Sequence, residues 1–332
     1  MSIRKIGVAF AAGSLALALA ACSSSGGAQT NSGGTAAGSG GGDTTGANLT
    51  FAMITHEQAG DTFWDKIRAG AQAAAKTHGI TLKYSNNENG PEQATLVQNA
   101  IDSKVSGIAV TLSNASQVIP VAKKAADSGI PVVVFNQGFD DYTKAGSKMY
   151  FGSDELLAGQ TIGKKIAAED ASGKTLCVIQ AQGSVALETR CKGVKEGFAN
   201  TENLQVNGAD APSVQSTIAA KLQQDKSITH IVTLGAPIAL SALSAESDAA
   251  SQAKIITFDL NKDAAQAIKD GKIEFSVDQQ PYVQGYMAVE GLWLNITNGN
   301  DMGGGQPVRT GPSFVDSTNI AQILPFTQNN TR

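Results

Sequence analysis

Amides, carboxylates and one arginine recur where apolar runs of this chain end, and these are the groups that could do chemistry. Thr55-His56 closes the first run, Phe135-Asn136-Gln137 a later one, then Gln180-Ala181-Gln182 and Phe258-Asp259. Asp61, Phe63 and Trp64 lie just past the first, Glu188 and Arg190 past the third, and Gln279-Gln280-Pro281 after the last. Planar amides, carboxylates and a guanidinium pair bidentately with adjacent hydroxyls, while aromatic faces cover the C–H patches of a ring or chain. The set suits the binding of a polyhydroxylated small molecule.

Each residue also has a plainer use. An arginine past a strand end is costly to desolvate unless something satisfies it, so Arg190 contacts either a ligand or a structural ion pair. Asp259 could cap the following helix and Asn136 could simply turn the chain. His56 stands alone in a loop. Phe63 fits a core face with Ile67, which leaves Trp64 as the better stacking residue. Gln182 and Glu188 flank the approach to Arg190, and Ser153 serves either the ligand or a hinge.

Catalysis has little support. No Gly-x-Gly-x-x-Gly follows a strand, there is no phosphate loop, and no His-Glu-x-x-His or Cys/His cluster. Only His56, His78 and His230 could supply imidazole, far apart in sequence. No cofactor, no metal and no enzymatic activity are expected.

The elements that must hold these residues alternate. Strands are expected near 49–55, 80–85, 107–112 and 130–135, with helices from 63, over 92–104 and over 116–128. A second series follows Ser153: helices over 155–169, 188–201, 213–224, 237–249 and 263–269, strands at 175–180, 230–234, 254–258 and 273–277. A last helix over 281–298 leads through Gly303-Gly304-Gly305 to a short extended tail. Such alternation marks an α/β fold with mostly parallel sheets, whose ligands sit at the carboxyl ends of strands. About 285 ordered residues exceed one core, so two lobes are expected.

Arg4 and Lys5 precede an apolar segment shorter than the roughly 20 residues of a membrane span, then Leu19-Ala20-Ala21-Cys22. This is an export signal, and its end resembles the bacterial lipobox, which would make Cys22 the lipidated mature N-terminus. Residues 23–47 are Gly, Ser, Thr and Ala with almost nothing to bury, and read as a flexible tether. Beyond the signal, 23 basic face 29 acidic residues, a net −6 that argues against nucleic acid as partner. In an oxidising compartment Cys177 and Cys191 are either a disulfide, the favoured reading, or two buried thiols.

Taken in order, Asp61-Thr62-Phe63-Trp64, Ile130-Pro131-Val132 running to Asn136, Gly152-Ser153-Asp154, Arg190 with Gly193, Phe258-Asp259 and Gln279-Gln280-Pro281 resemble the ribose-binding-protein-like substrate-binding lipoproteins of ABC importers. The resemblance covers the chain from Leu49 onward. It implies two Rossmann-like lobes joined by a three-strand hinge near 153–154, 279–280 and 310–312. The lobes would then be residues 48–153 with 280–311, and 154–279 with 312–332. It implies a monomeric receptor, anchored outside the cytoplasmic membrane through Cys22, that closes on a sugar or polyol and hands it to a membrane permease. Asp61, Phe63, Trp64 and Asn136 would line one wall, Arg190 and Asp259 the other, with Gln279 at the hinge. A sugar-sensing receptor signalling to a kinase or chemoreceptor is the alternative. Gly235-Ala236-Pro237 replaces an Asn-Asp pair of the ribose binders, and the His56-Glu57-Gln58 loop is longer, so a differently shaped sugar or a linear sugar alcohol is expected in place of ribose.

Overall fold

The computed structural model describes residues 48–58 and 60–332; the export signal, Cys22 and the tether lie outside the described residues. The chain first builds β1 (Thr50–Thr55), α1 (Phe63–His78), β2 (Thr81–Asn86), α2 (Gly90–Asp102), β3 (Gly107–Val110), α3 (Ala115–Asp127), β4 (Val132–Asn136) and β5 (Tyr150–Gly152). It then builds α4 (Glu155–Glu169), β6 (Lys174–Ile179), α5 (Val185–Gly197), β7 (Thr201–Gln205), α6 (Ala211–Gln224), β8 (Ile228–Thr233), α7 (Ala236–Asp248), β9 (Lys254–Phe258), α8 (Lys262–Lys269) and β10 (Phe275–Asp278). It closes with α9 (Pro281–Asn298), β11 (Val308–Arg309), β12 (Ser313–Asp316) and α10 (Ile320–Gln328).

Two six-stranded sheets result, ordered β2-β1-β3-β4-β5-β11 and β7-β6-β8-β9-β10-β12. Every pairing is parallel except β10 with β12. Central strands such as β3 and β4 are buried along their whole length and apolar almost throughout, because helices cover both faces. The outer strands β2 and β7 each leave one side open, with Lys83 exposed on the first and Asn203 and Gln205 on the second. Each sheet has an apolar core on each face; α1 and α9 share one such core in the first lobe.

The chain passes between sheets three times: from β5 into α4, from β10 into α9, and from β11 into β12. Gln284, fully buried in α9, ties the second and third of these passages together. Its Nε2 donates to Gln279 O at 3.1 Å and to Thr310 Oγ1 at 3.1 Å. Arg309 reaches Asp154 at 3.2 Å, and Arg332 reaches the buried Asp278 at 2.5 Å.

Three local expectations need correction. The helix expected over 188–201 spans Val185–Gly197, and Thr201 opens β7 instead, an edge strand whose exposed side hides its periodicity. The expected extended tail includes α10, where Ile320, Ile323 and Leu324 pack on the second lobe's core despite Pro325. The short β5, β11 and β12 are too brief to carry a periodic signal. Among the described residues no helix is long and apolar enough to cross a membrane.

Candidate functional site

The carboxyl ends of both sheets face one cavity of about 650 Å³, within the range of about 300–1,000 Å³ usual for small-molecule sites. His56, Asp61, Phe63, Trp64 and Asn136 line it from the first lobe, Gln182, Arg190 and Asp259 from the second, and Gln279 from the crossing.

Two residues hold mirrored places. Phe135-Asn136 ends β4 and Phe258-Asp259 follows the same course at the end of β9, and both polar residues take left-handed backbone, φ +62° and +63°. Non-glycine residues seldom adopt this conformation except Asn and Asp, which tolerate it best. It turns each side chain off the strand and into the cleft. The phenylalanines beneath are fully buried and anchor the bends.

A chain of hydrogen bonds spans the lobes through the hinge. Asn136 Nδ2 donates to Gln284 Oε1 at 3.0 Å and to Gln279 Oε1 at 3.4 Å. Gln279 Nε2 donates to Asp259 Oδ2 at 3.2 Å. Asp259 Oδ1 is buried with no partner among the described residues, an acceptor awaiting a donor. Burial pushes the Asp259 carboxyl up to about 7, with Arg190 pulling the other way and Asp278 adding to the rise.

Arg190 is 5% exposed and engaged in several directions. Its Nε and Nη2 grip Glu155 at 2.5 and 3.2 Å, Nη1 donates to Leu234 O at 3.3 Å, and the guanidinium lies 4.5 Å over the Phe258 ring. Asp259 is 4.0 Å from Nη1. The ion pair and the cavity-lining position therefore coexist, since a guanidinium has donors to spare beyond Glu155.

That arrangement depends on backbone contact between α4 and α5. A Cβ at Gly159 would lie 2.1 Å from Arg190 O, and one at Gly193 would lie 2.3 Å from Leu156 O. Only glycine lets the two helices approach so closely, which brings Glu155 on α4 beside Arg190 on α5. The neighbouring Cys191 is bonded to Cys177 on β6, with a Cα–Cα distance of 5.8 Å.

On the first lobe Asp61 Oδ1 accepts from Phe63 N at 3.0 Å, and burial raises its carboxyl above the ordinary range. Phe63 and Trp64 both line the cavity and differ in burial. Trp64 is 3% exposed and belongs mainly to the core, while Phe63 is half-buried at the cavity wall. Glu57 turns away from the cavity, accepting from Tyr84 Oη at 2.7 Å and pairing with Arg68.

Two expected ligand contacts fall outside the cavity lining. Glu188 is exposed on the outer side of the first turn of α5, because that helix begins before it. Ser153 is buried at the first passage between sheets, with its carbonyl accepting from Tyr150 Oη at 3.2 Å. The sequence pattern does not single out Glu155, Gln284, Gln93 or Thr111. A glutamine on the otherwise apolar inner face of α9 is the one sequence signal that would have found Gln284, since a buried polar group needs partners.

Among the described residues no group of three His, Cys, Asp or Glu side chains could hold a metal. What the cleft offers is a polar site: amides, carboxyls, a guanidinium, an imidazole and aromatic surface on opposed walls.

The sequence matches the family model described as periplasmic binding protein domain over residues 51–300. The chain belongs to that family, in its sugar-binding branch. A carbohydrate transporter from Acidothermus cellulolyticus 11B, crystallised in complex with myo-inositol, is 53% identical and superposes with a TM-score of 0.84, covering 86% of this chain and 99% of its own. An ABC sugar transporter's periplasmic sugar-binding protein from Legionella pneumophila is 25% identical, with a TM-score of 0.72, over 79% of this chain and 99% of its own. The ribose import binding protein of Bacillus subtilis is 27% identical over 237 residues, 69% of this chain and 75% of that protein. This is a solute-binding protein of the ABC-importer type, acting outside the cytoplasm.

Proposed function

We propose that the cleft binds a cyclic polyol of the inositol class, closes on it by hinge motion and delivers it to an ABC permease. The observation that carries this reading is the convergence of Asn136, Asp259 and Gln279 on one cavity that His56 and Phe63 also wall. The hydroxyl-binding groups come from both lobes, so a ring with hydroxyls all round engages both walls at once. The 53% identical relative crystallised with myo-inositol supports the same class. Hinge closure is a known mode of periplasmic binding proteins. The receptor works as a monomer, and the Leu-Ala-Ala-Cys22 ending of the export signal tethers it to the outer face of the membrane.

Isothermal titration of the exported protein with myo-inositol, ribose, arabinose and allose tests the reading. Saturable one-to-one binding is expected for myo-inositol, with ribose weaker. Silence across the inositols, with a pentose or hexose binding tightly, would replace the cyclitol by that sugar.

A further inference from the structure

Behind His56 lies a buried pair that nothing in the cleft description uses. Gln93 and Thr111 are each 0% exposed. Gln93 Nε2 lies 2.9 Å from Thr111 O and 3.0 Å from Thr111 Oγ1. A backbone carbonyl only accepts, so the amide must turn its nitrogen toward it. That nitrogen cannot accept, so Thr111 Oγ1 accepts from it.

Thr111 Oγ1 is also 2.8 Å from His56 Nδ1. Were the proton on Nδ1, the threonine hydroxyl hydrogen would be buried with no acceptor among the described residues, an expensive loss. The consistent arrangement runs Gln93 N–H to Thr111 O–H to His56 Nδ1. The ring proton then sits on Nε2. The imidazole edge packs on Trp64, centroids 4.7 Å apart at 83°, which holds the ring plane. Nε2 has no protein partner among the described residues, and His56 lines the cavity.

We propose that Thr111 and Gln93 are positioning residues that lock His56 in its Nε2–H tautomer, making it an obligate hydrogen-bond donor to one ligand oxygen. This rests on the polyol reading of the cleft and sharpens it. The ligand must present a lone pair opposite His56, which a hydroxyl does and a deoxy carbon or an ammonium does not. A donor left without an acceptor in a closed cleft discriminates more strongly than a lost methylene. Burial holds the imidazole far below the usual histidine range, at about 3, so the ring stays neutral across physiological pH.

Long-range proton–nitrogen spectra of the ¹⁵N-labelled wild-type protein, with His56→Gln assigning the signals, decide the tautomer directly. A bare Nδ1 and a protonated Nε2 are expected; the reverse, or an even mixture, overturns the proposal. Thr111→Val should shift the tautomer ratio and weaken myo-inositol binding by roughly tenfold, with Thr111→Ser restoring both. Unchanged binding and an unchanged spectrum in Thr111→Val would also overturn it. Should Thr111→Val not fold, Gln93→Met removes the donor to Oγ1 and is read the same way. A wild type that binds no polyol sinks the ligand reading alone, because the nitrogen spectrum still decides the relay.

Discussion

Asp259 carries an electrostatic conflict. It is buried and faces Arg190 at 4.0 Å, yet one oxygen has no partner among the described residues and Asp278 adds a second negative charge nearby. Its carboxyl titrates near 7 in the folded state against about 4 in the unfolded chain, so the folded state binds the proton more tightly. Stability from this residue is fully present below about pH 4 and is lost as the pH rises to about 7. Asp259→Asn should remove that slope: in urea unfolding across pH 4 to 8, the variant's stability relative to wild type grows between roughly 4 and 7 and then levels. A constant difference would mean that Asp259 titrates normally. At this scale the sequence revealed residue type and strand-end position, enough to find Asn136, Asp259 and Gln279. It did not reveal partners. Asn136 meets Gln284 across 148 positions and Arg190 meets Glu155 across 35, distances at which a local pattern carries no information.

Among the elements, α4 and α5 show how a helix pair sets a site. Their glycines permit backbone contact, and that contact seats the Arg190–Glu155 pair at the cleft wall. Gly159→Ala would drive a methyl against Arg190 O and should cost about 1–3 kcal/mol of stability by overpacking, with weaker ligand binding as α5 is pushed aside. Thermal unfolding and titration of the variant check this; a stable variant with native affinity would mean the helices part without disturbing Arg190. The helices and buried strands were legible because apolar runs and 3.6-residue periodicity survive in the sequence. The edge strand β7 was not, since only one of its faces is covered, and neither was α10, whose Pro325 reads as a breaker although its apolar face docks on the core.

Over the whole molecule, the three passages between sheets make closure a matter of bending a few residues. Asp154, Asp278, Gln279, Thr310 and Arg309 carry the hydrogen bonds and ion pairs found there. Small-angle scattering should show the radius of gyration falling when myo-inositol is added, and an unchanged radius with proven binding would rule out hinge closure. The connectivity also governs the order in which the chain can fold. Helix α1 shares its core with α9, packed so closely that a Cβ at Gly285 would lie 2.0 Å from Ile67 O. Until the chain has been made from His78 to Pro281 and beyond, the side of α1 that meets α9 has no cover, although its other apolar residues already pack on β1, β3 and β4. The first lobe waits for α9 and β11 and the second for β12 and α10, so folding one domain at a time from the N-terminus onward, the usual course during synthesis, is denied to this chain. For a receptor that acts outside the cytoplasm, that order leaves both lobes unfinished until the chain is nearly complete.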